Sequence, residues 1–173
     1  MPITHDLHPR SFLTKIASYE KVCSIHNSMT VLDGPTGLLG LFLKMGLAGY
    51  TGCYNGCNPG VMSHDEVLSR YRERVDPGFT WTNFTLEEQA AVLAAGRSNN
   101  RLDARKLQGA AEALGFRLLP LPAAVEEVMA SIATARETSN ASGRMRDRPR
   151  QGIASATTQQ QESALGDPLR PGA

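Results

Sequence analysis

The stretch from Cys53 to Leu68 restricts the fold of this chain more than any other. Asn58-Pro59-Gly60 ends whatever precedes it, because Pro locks φ and has no N–H, and Gly tolerates positive φ. Ser63 and Glu66 then stand at capping-box spacing, each side chain placed to take a backbone N–H at the other's end. Val67, Leu68 and Tyr71 give the helix that follows an apolar stripe, with Arg70, Arg72, Glu73 and Arg74 largely outside it. Tyr54 and Cys57 before the turn suit an extended, half-buried run. The spacing thus predicts a strand, a tight turn and a capped helix, and open α/β sheets place ligands at such junctions.

The remaining elements follow from the same signals. A short helix is expected over Phe12 to Tyr19, with Phe12, Ile16 and Tyr19 on one face and Ser11 as cap. Lys21 to Ile25 reads as a short strand, and Asn27 to Asp33 as a loop leading into another element. Leu38 to Leu47 is expected to be helical, with Leu39, Phe42 and Leu43 at helical spacing. Phe79 to Thr82 alternates as a strand does, and Thr85 to Glu88 opens a helix with a second capping box that fades near Gly96. Asp103 suits the N-cap of a helix over Ala104 to Leu114, with Gly115 just past its end. Phe116 to Pro120 reads as extended, and Pro122 to about Ala135 as a last helix with Val125 and Met129 on one face.

From Arg136 the composition changes to Ser, Thr, Gln, Arg, Gly and Pro, and aromatics vanish. Such a segment buries too little apolar surface to offset its ordering entropy. The expected organisation is one folded unit over residues 1–135 and a disordered, solvated tail over 136–173. A net charge of +1 gives no footprint for nucleic acid or an anionic membrane. The longest apolar run, Leu38 to Ala48, is interrupted by Lys44 and falls short of a membrane span. The start of the chain has no signal-peptide apolar region, and three cysteines make no disulfide framework; both suit a reducing compartment such as the cytoplasm.

Several motifs invite chemistry. Gly34, Gly37 and Gly40 ahead of an apolar helix are spaced like a dinucleotide-binding loop, but no acidic strand end follows at the required distance. Cys53 and Cys57 are spaced C-x-x-x-C, and Cys23, His26 and His64 complete no zinc pattern, so free cysteines are expected. His64, in a helix's first turn, reads as a surface residue. Arg97, Asn99 and Asn100 sit in a polar loop where an Arg can grip a phosphate through two parallel bonds. A Tyr-x-x-x-Lys pair is absent: four residues after the tyrosines stand Cys23, Tyr54, Asn58 and Val75.

Five blocks in register resemble one family. They are Met1-Pro2-Ile3 with Arg10-Ser11-Phe12-Leu13-Thr14-Lys15-Ile16; Asn27 to Asp33; Asn58 to His64; Trp81 to Ala90; and Arg97 to Asp103. Together, from Met1 to about Ser131, they resemble the C-terminal part of the nucleotide-rhamnose synthase epimerase-reductases, which convert UDP-4-keto-6-deoxyglucose to UDP-rhamnose. The resemblance implies an α/β fold: the C-terminal substrate-binding lobe and last strands of an extended short-chain dehydrogenase. In the intact family an N-terminal Rossmann half holds NADPH and the Tyr-x-x-x-Lys pair, so the resemblance implies no catalytic or cofactor residue here and no NADPH site in this chain alone. It implies a UDP-sugar as ligand, with Arg10, Phe12 and Lys15 shaping the nucleotide pocket, Ser28, Met29 and Thr30 near the sugar, and Arg97, Asn99 and Asn100 facing the diphosphate. Implied partners are a full-length homologue or the missing Rossmann half; a non-catalytic, regulatory nucleotide-sugar binder is the rival expectation. The chain departs from the family at Gly34-Pro35-Thr36-Gly37, at Gly56, at Cys53 and Cys57, and in its tail.

Overall fold

The computed structural model describes residues 2–92 and 100–141. It is a mixed α/β body in which β1 (Pro2–Ile3), α1 (Phe12–Ile16), β2 (Lys21–Val22), β3 (Thr30–Val31) and α2 (Leu38–Leu47) come first. They are followed by α3 (His64–Arg74), β4 (Thr82–Asn83), α4 (Leu86–Val92), α5 (Arg105–Ala113) and α6 (Leu121–Ala141). Two short parallel pairs form, β1 with β3 and β2 with β4. The main core lies where α3 and α6 cover β1 and β3: Val67, Leu68 and Tyr71 meet Val125, Val128, Met129, Ile3, Met29 and Val31. Full burial of a side chain such as Leu68 or Met129 is worth roughly 1.5–3 kcal/mol. A second, smaller core joins Leu38, Leu41 and Met45 of α2 to Leu107, Ala110 and Ala111 of α5.

The turn and capped helix form as expected. Gly60 has φ +95°. The Ser63 hydroxyl accepts from the Glu66 N–H at 3.1 Å, and the Glu66 carboxylate accepts from the Ser63 N–H at 2.7 Å. Ser63→Ala is expected to lose about 1 kcal/mol in urea unfolding. That Ser63 N–H is the main reason the Glu66 carboxyl titrates below its ordinary value of 4.5. The shift is downward, so the linked stability is present above the ordinary value and is lost as pH falls through the lowered one. Glu66→Gln should therefore flatten the acid limb of urea midpoints followed from about pH 6 to 3, and an unchanged slope would remove this assignment. The second box is also present, Thr85 and Glu88 exchanging bonds of 3.0 and 3.1 Å.

Other expectations change in the fold. Residues 53–57 form a loop instead of a strand: Lys106 Nζ donates to the Cys53 carbonyl at 2.9 Å and Asn55 Nδ2 to the Asp103 carbonyl at 2.9 Å, so side chains replace ladder bonds. The loop read over Asn27 to Asp33 contains β3, and only Lys21–Val22 of the strand read over 21–25 is paired. The strand near Trp81 is Thr82–Asn83, and Phe79 instead packs in the core, 5.3 Å from the Tyr71 ring centre. The first helix stops at Ile16 and leaves Tyr19 exposed. Ser11 occupies its N-cap position, but its hydroxyl accepts from the Thr4 N–H at 3.4 Å instead of capping. Residues 116–120 pair with no strand among the described residues.

In α2 the buried side is Leu38, Leu41 and Met45, while Leu39, Phe42 and Leu43 face outward. The helix is apolar nearly all round, so periodicity carries no face, and packing on α5 decides it. Asp103 sits one position before the Ala104 cap yet still accepts the Arg105 N–H at 2.9 Å. Gly115 ends α5 with φ +60°. The last helix continues past Ala135 to Ala141, where Arg136 Nη1 reaches back to the Val75 carbonyl at 2.9 Å and ties it to the end of α3. The rest of the expected tail, like the expected end of α4 near Gly96, lies outside the described residues.

Candidate functional site

Asn58, the last residue before the Pro-Gly turn, is fully buried and builds the junction. Its Oδ1 accepts the Val31 N–H at 2.8 Å, its Nδ2 donates to the Leu119 carbonyl at 3.1 Å, and its N–H donates to the Met29 carbonyl at 3.1 Å. One side chain thereby closes the outer edge of β3 and fastens the segment leading into α6. The Leu121 N–H completes the tie by donating to the Pro59 carbonyl at 2.7 Å.

Around this junction, segments far apart in sequence meet. Asn27 and Met62 form an antiparallel bridge, with N–H···O distances of 3.0 and 3.1 Å. Asn27 Oδ1 accepts the Asn100 N–H at 3.0 Å, and the Ser28 N–H donates to the Asn100 carbonyl at 2.7 Å. Ser28 Oγ accepts the Leu102 N–H at 2.9 Å. Phe12 stacks edge-on against His64 with ring centres 5.0 Å apart, joining α1 to the start of α3. His64 is accordingly half-buried, not the surface residue its position suggests. His26 Nε2 lies 3.3 Å from the Glu66 carboxylate on the same side.

A cleft of about 350 Å³ opens beside this crossing, between Pro59-Gly60 and the 101–105 segment, with Gln108 on its wall. That is within the usual range for small-molecule sites. Arg101, Asp103, Arg105 and Gln108 are its polar lining, so cationic and amide donors stand there beside one carboxylate. Arg105 also grips Asp103, Nε at 3.0 and 2.9 Å from the two carboxylate oxygens, and this holds the Asp103 carboxyl down to about 2. A smaller pocket of about 190 Å³ is lined by Thr4, Asp6, His8, Arg10 and Ser11.

The residues singled out in the sequence have divergent placements. Ser28 and Asn100 are brought into direct contact, and Phe12 joins them through His64 and the Asn27–Met62 bridge. Arg10 lines the smaller pocket, and Lys15 is exposed on α1. The Thr30 hydroxyl donates to the Gly56 carbonyl at 2.8 Å, and the Met29 side chain is enclosed in the core. Arg97 and Asn99 lie outside the described residues. Asn58 and Arg101 stand inside blocks that the sequence singled out, in the Asn58 to His64 and Arg97 to Asp103 stretches, but sequence reasoning gave neither a role at the site, and it missed Gln108, which lies in no such block. It also missed Lys106, whose ammonium lies 4.2 Å from the Tyr54 ring centre.

The glycines of the 34–40 loop have neighbours within the protein. Gly34, at φ +83°, lies against the His5 imidazole, which Asp33 Oδ1 holds at 2.9 Å. Gly37 faces the Asp33 and Leu32 carbonyls, and Gly40 faces Phe116. Cys23, Cys53 and Cys57 are free, and among the described residues no three His, Cys, Asp or Glu gather as metal ligands. Among those residues no helix is long and apolar enough to cross a membrane.

No family model matches the chain. Over 109 residues it is 59% identical to the bifunctional dTDP-4-dehydrorhamnose 3,5-epimerase/dTDP-4-dehydrorhamnose reductase of Arabidopsis thaliana, covering 62% of this chain and 35% of that protein. It is also 53% identical over 109 residues to the trifunctional UDP-glucose 4,6-dehydratase/UDP-4-keto-6-deoxy-D-glucose 3,5-epimerase/UDP-4-keto-L-rhamnose-reductase RHM1 of the same plant, covering 62% of this chain and 16% of that one. Among solved structures, the L780 UDP-rhamnose synthase of Acanthamoeba polyphaga mimivirus superposes with a TM-score of 0.67 at 41% identity. That match covers 76% of this chain and 43% of the synthase. The chain is thus similar to a stretch of rhamnose-forming epimerase-reductases and spans about a third of the bifunctional plant relative.

Proposed function

We propose that this chain is the nucleotide-sugar-binding part of a UDP-rhamnose-forming epimerase-reductase, the C-terminal lobe of an extended short-chain dehydrogenase. One observation carries the proposal: blocks scattered along the sequence meet at a single crossing. Asn27-Ser28, Met62 to His64, Asn100 to Leu102 and Phe12 are tied there by the bonds and ring contact described above. The similarity to epimerase-reductases, at 59% identity over 109 residues, supports the choice of ligand class.

In this reading the Ser28–Asn100 contact holds the 100–105 segment against the body, and the adjoining cleft takes the UDP moiety. Arg101 and Gln108 supply donors for the diphosphate. Phe12, packed edge-on against His64, and the cations Arg10 and Lys15 stand outside the lining of that cleft, on the α1 segment. NADPH would supply the hydride in the complete enzyme. The residues of this chain bind and orient the sugar nucleotide.

Isothermal titration with UDP-rhamnose tests this directly. Saturable binding is expected, weakened roughly tenfold or more by Ser28→Ala, since the Leu102 N–H would lose its acceptor and the cleft wall its anchor. Absence of binding would remove the proposal. With the 4-keto sugar and NADPH, the chain alone is expected to leave NADPH unoxidised. Turnover would show that the active half is present after all.

A further inference from the structure

The arginines among the described residues fall into two groups. Arg70, Arg74, Arg105, Arg117 and Arg136 each reach a carbonyl or a carboxylate, and Arg72 lies over the Trp81 ring, 4.9 Å from its centre. Among the described residues Arg10 and Arg101 have no such partner, and each lines a pocket. The larger, of about 350 Å³, is the cleft beside Gly60, where Arg101 shares the lining with Asp103 and Arg105. These last two are closed on each other. The Arg105 N–H donates to Asp103 Oδ1 at 2.9 Å, Nε lies 3.0 and 2.9 Å from Oδ1 and Oδ2, and Nη2 also donates to Oδ2. The guanidinium is the main reason that the carboxyl is held down to about 2, so Asp103 is ionised near neutral pH. The two charges cancel, and Arg101 supplies the unmatched charge of the lining. An ion pair as exposed as this one adds little to folding stability, so its bearing is on the cleft.

That balance decides which phosphate ester suits the cleft. In a nucleotide sugar both phosphates are diesters, each with one charge. In a free nucleoside diphosphate the outer phosphate is a monoester, carrying roughly −1.5 to −2 at pH 7. One unmatched guanidinium suits the less charged ligand, and the added charge of a monoester meets the like charge of Asp103. With Asp103 neutral, two unmatched guanidinium groups would favour the more charged ligand instead.

We propose that Asp103 makes this cleft selective for nucleotide-sugar diesters over free nucleoside diphosphates, by cancelling the charge of Arg105 and repelling an outer monoester phosphate. The inference rests on the functional reading above, in which the cleft takes a UDP-sugar. Calorimetric titration of the full chain with UDP-rhamnose and with UDP, at low and high salt, tests it. The parent protein is expected to bind UDP-rhamnose at least as tightly as UDP. Asp103→Asn keeps an oxygen to accept the Arg105 N–H and should raise affinity for UDP relative to UDP-rhamnose roughly five- to tenfold. Arg105→Gln should move that ratio the other way. The double substitution leaves the net charge of the lining as it was, and should return the ratio to within about twofold of the parent. These shifts should shrink near 1 M salt, where the Debye length falls to about 3 Å. A merely structural role for the pair would change both affinities together and leave their ratio and its salt dependence unmoved. A parent protein that prefers UDP, an unchanged ratio in Asp103→Asn, or a double variant that fails to restore the ratio would each overturn the inference and leave the functional reading standing. Binding of neither ligand by the parent chain would remove both.

Discussion

Replacing Asn58 with leucine is expected to lower the unfolding free energy by about 2–6 kcal/mol, a large part of the roughly 5–15 kcal/mol typical of a whole domain. The side chain is fully buried, so no water stands ready to replace it. Its removal strands two groups at once, the Val31 N–H and the Leu119 carbonyl. Each unmatched buried polar group costs about 1–3 kcal/mol. Asp at this position keeps the acceptor for Val31 but loses the donor to Leu119 and buries a charge, so Asn58→Asp should fare no better than leucine. Urea unfolding followed by circular dichroism measures both. An Asn58→Leu protein within about 0.5 kcal/mol of the parent would show that this junction does not hold the fold.

The second large effect is at Gly37. Its φ of −71° is ordinary for any residue, so the constraint is space and not backbone conformation. A methyl group there would overlap the Asp33 and Leu32 carbonyls, which belong to the chain entering the same turn and cannot swing aside as a side chain does. Gly37→Ala is expected to destabilise by about 3 kcal/mol or more, by forcing the 32–37 backbone apart. Gly46, in the same helix, has nothing within 4 Å of its would-be Cβ. Gly46→Ala should therefore stabilise, by roughly 0.5–1 kcal/mol, through helix propensity alone. Opposite signs at two glycines of one segment are the result to look for in thermal melts. Equal effects would mean that the 34–37 turn is looser than its packing indicates.

That turn also shows how local spacing can mislead. Gly34, Gly37 and Gly40 are placed as in a phosphate-binding loop, yet each lies against another part of the protein: the His5 ring, the Asp33 carbonyl and Phe116. Spacing says where side chains are missing and not what fills the room. The same limit applies to α2. Its ends were readable from its residues, but its buried face was not, because apolar residues on all sides leave period 3.6 without a preferred direction.

The capping boxes at Ser63–Glu66 and Thr85–Glu88, the Pro59-Gly60 turn and the end of α5 at Gly115 were all legible in the sequence. Each is settled by residues within four positions of one another, through hydrogen bonds that need no distant partner. Strand pairing, the burial of Asn58, and the meeting of Ser28 with Asn100 and of Phe12 with His64 belong to the tertiary structure alone. In each case the partner is supplied by a segment remote in the chain, and which remote groups meet depends on how α3 and α6 close over β1 and β3. Sequence could name the blocks that matter; only that closure could bring them to one place.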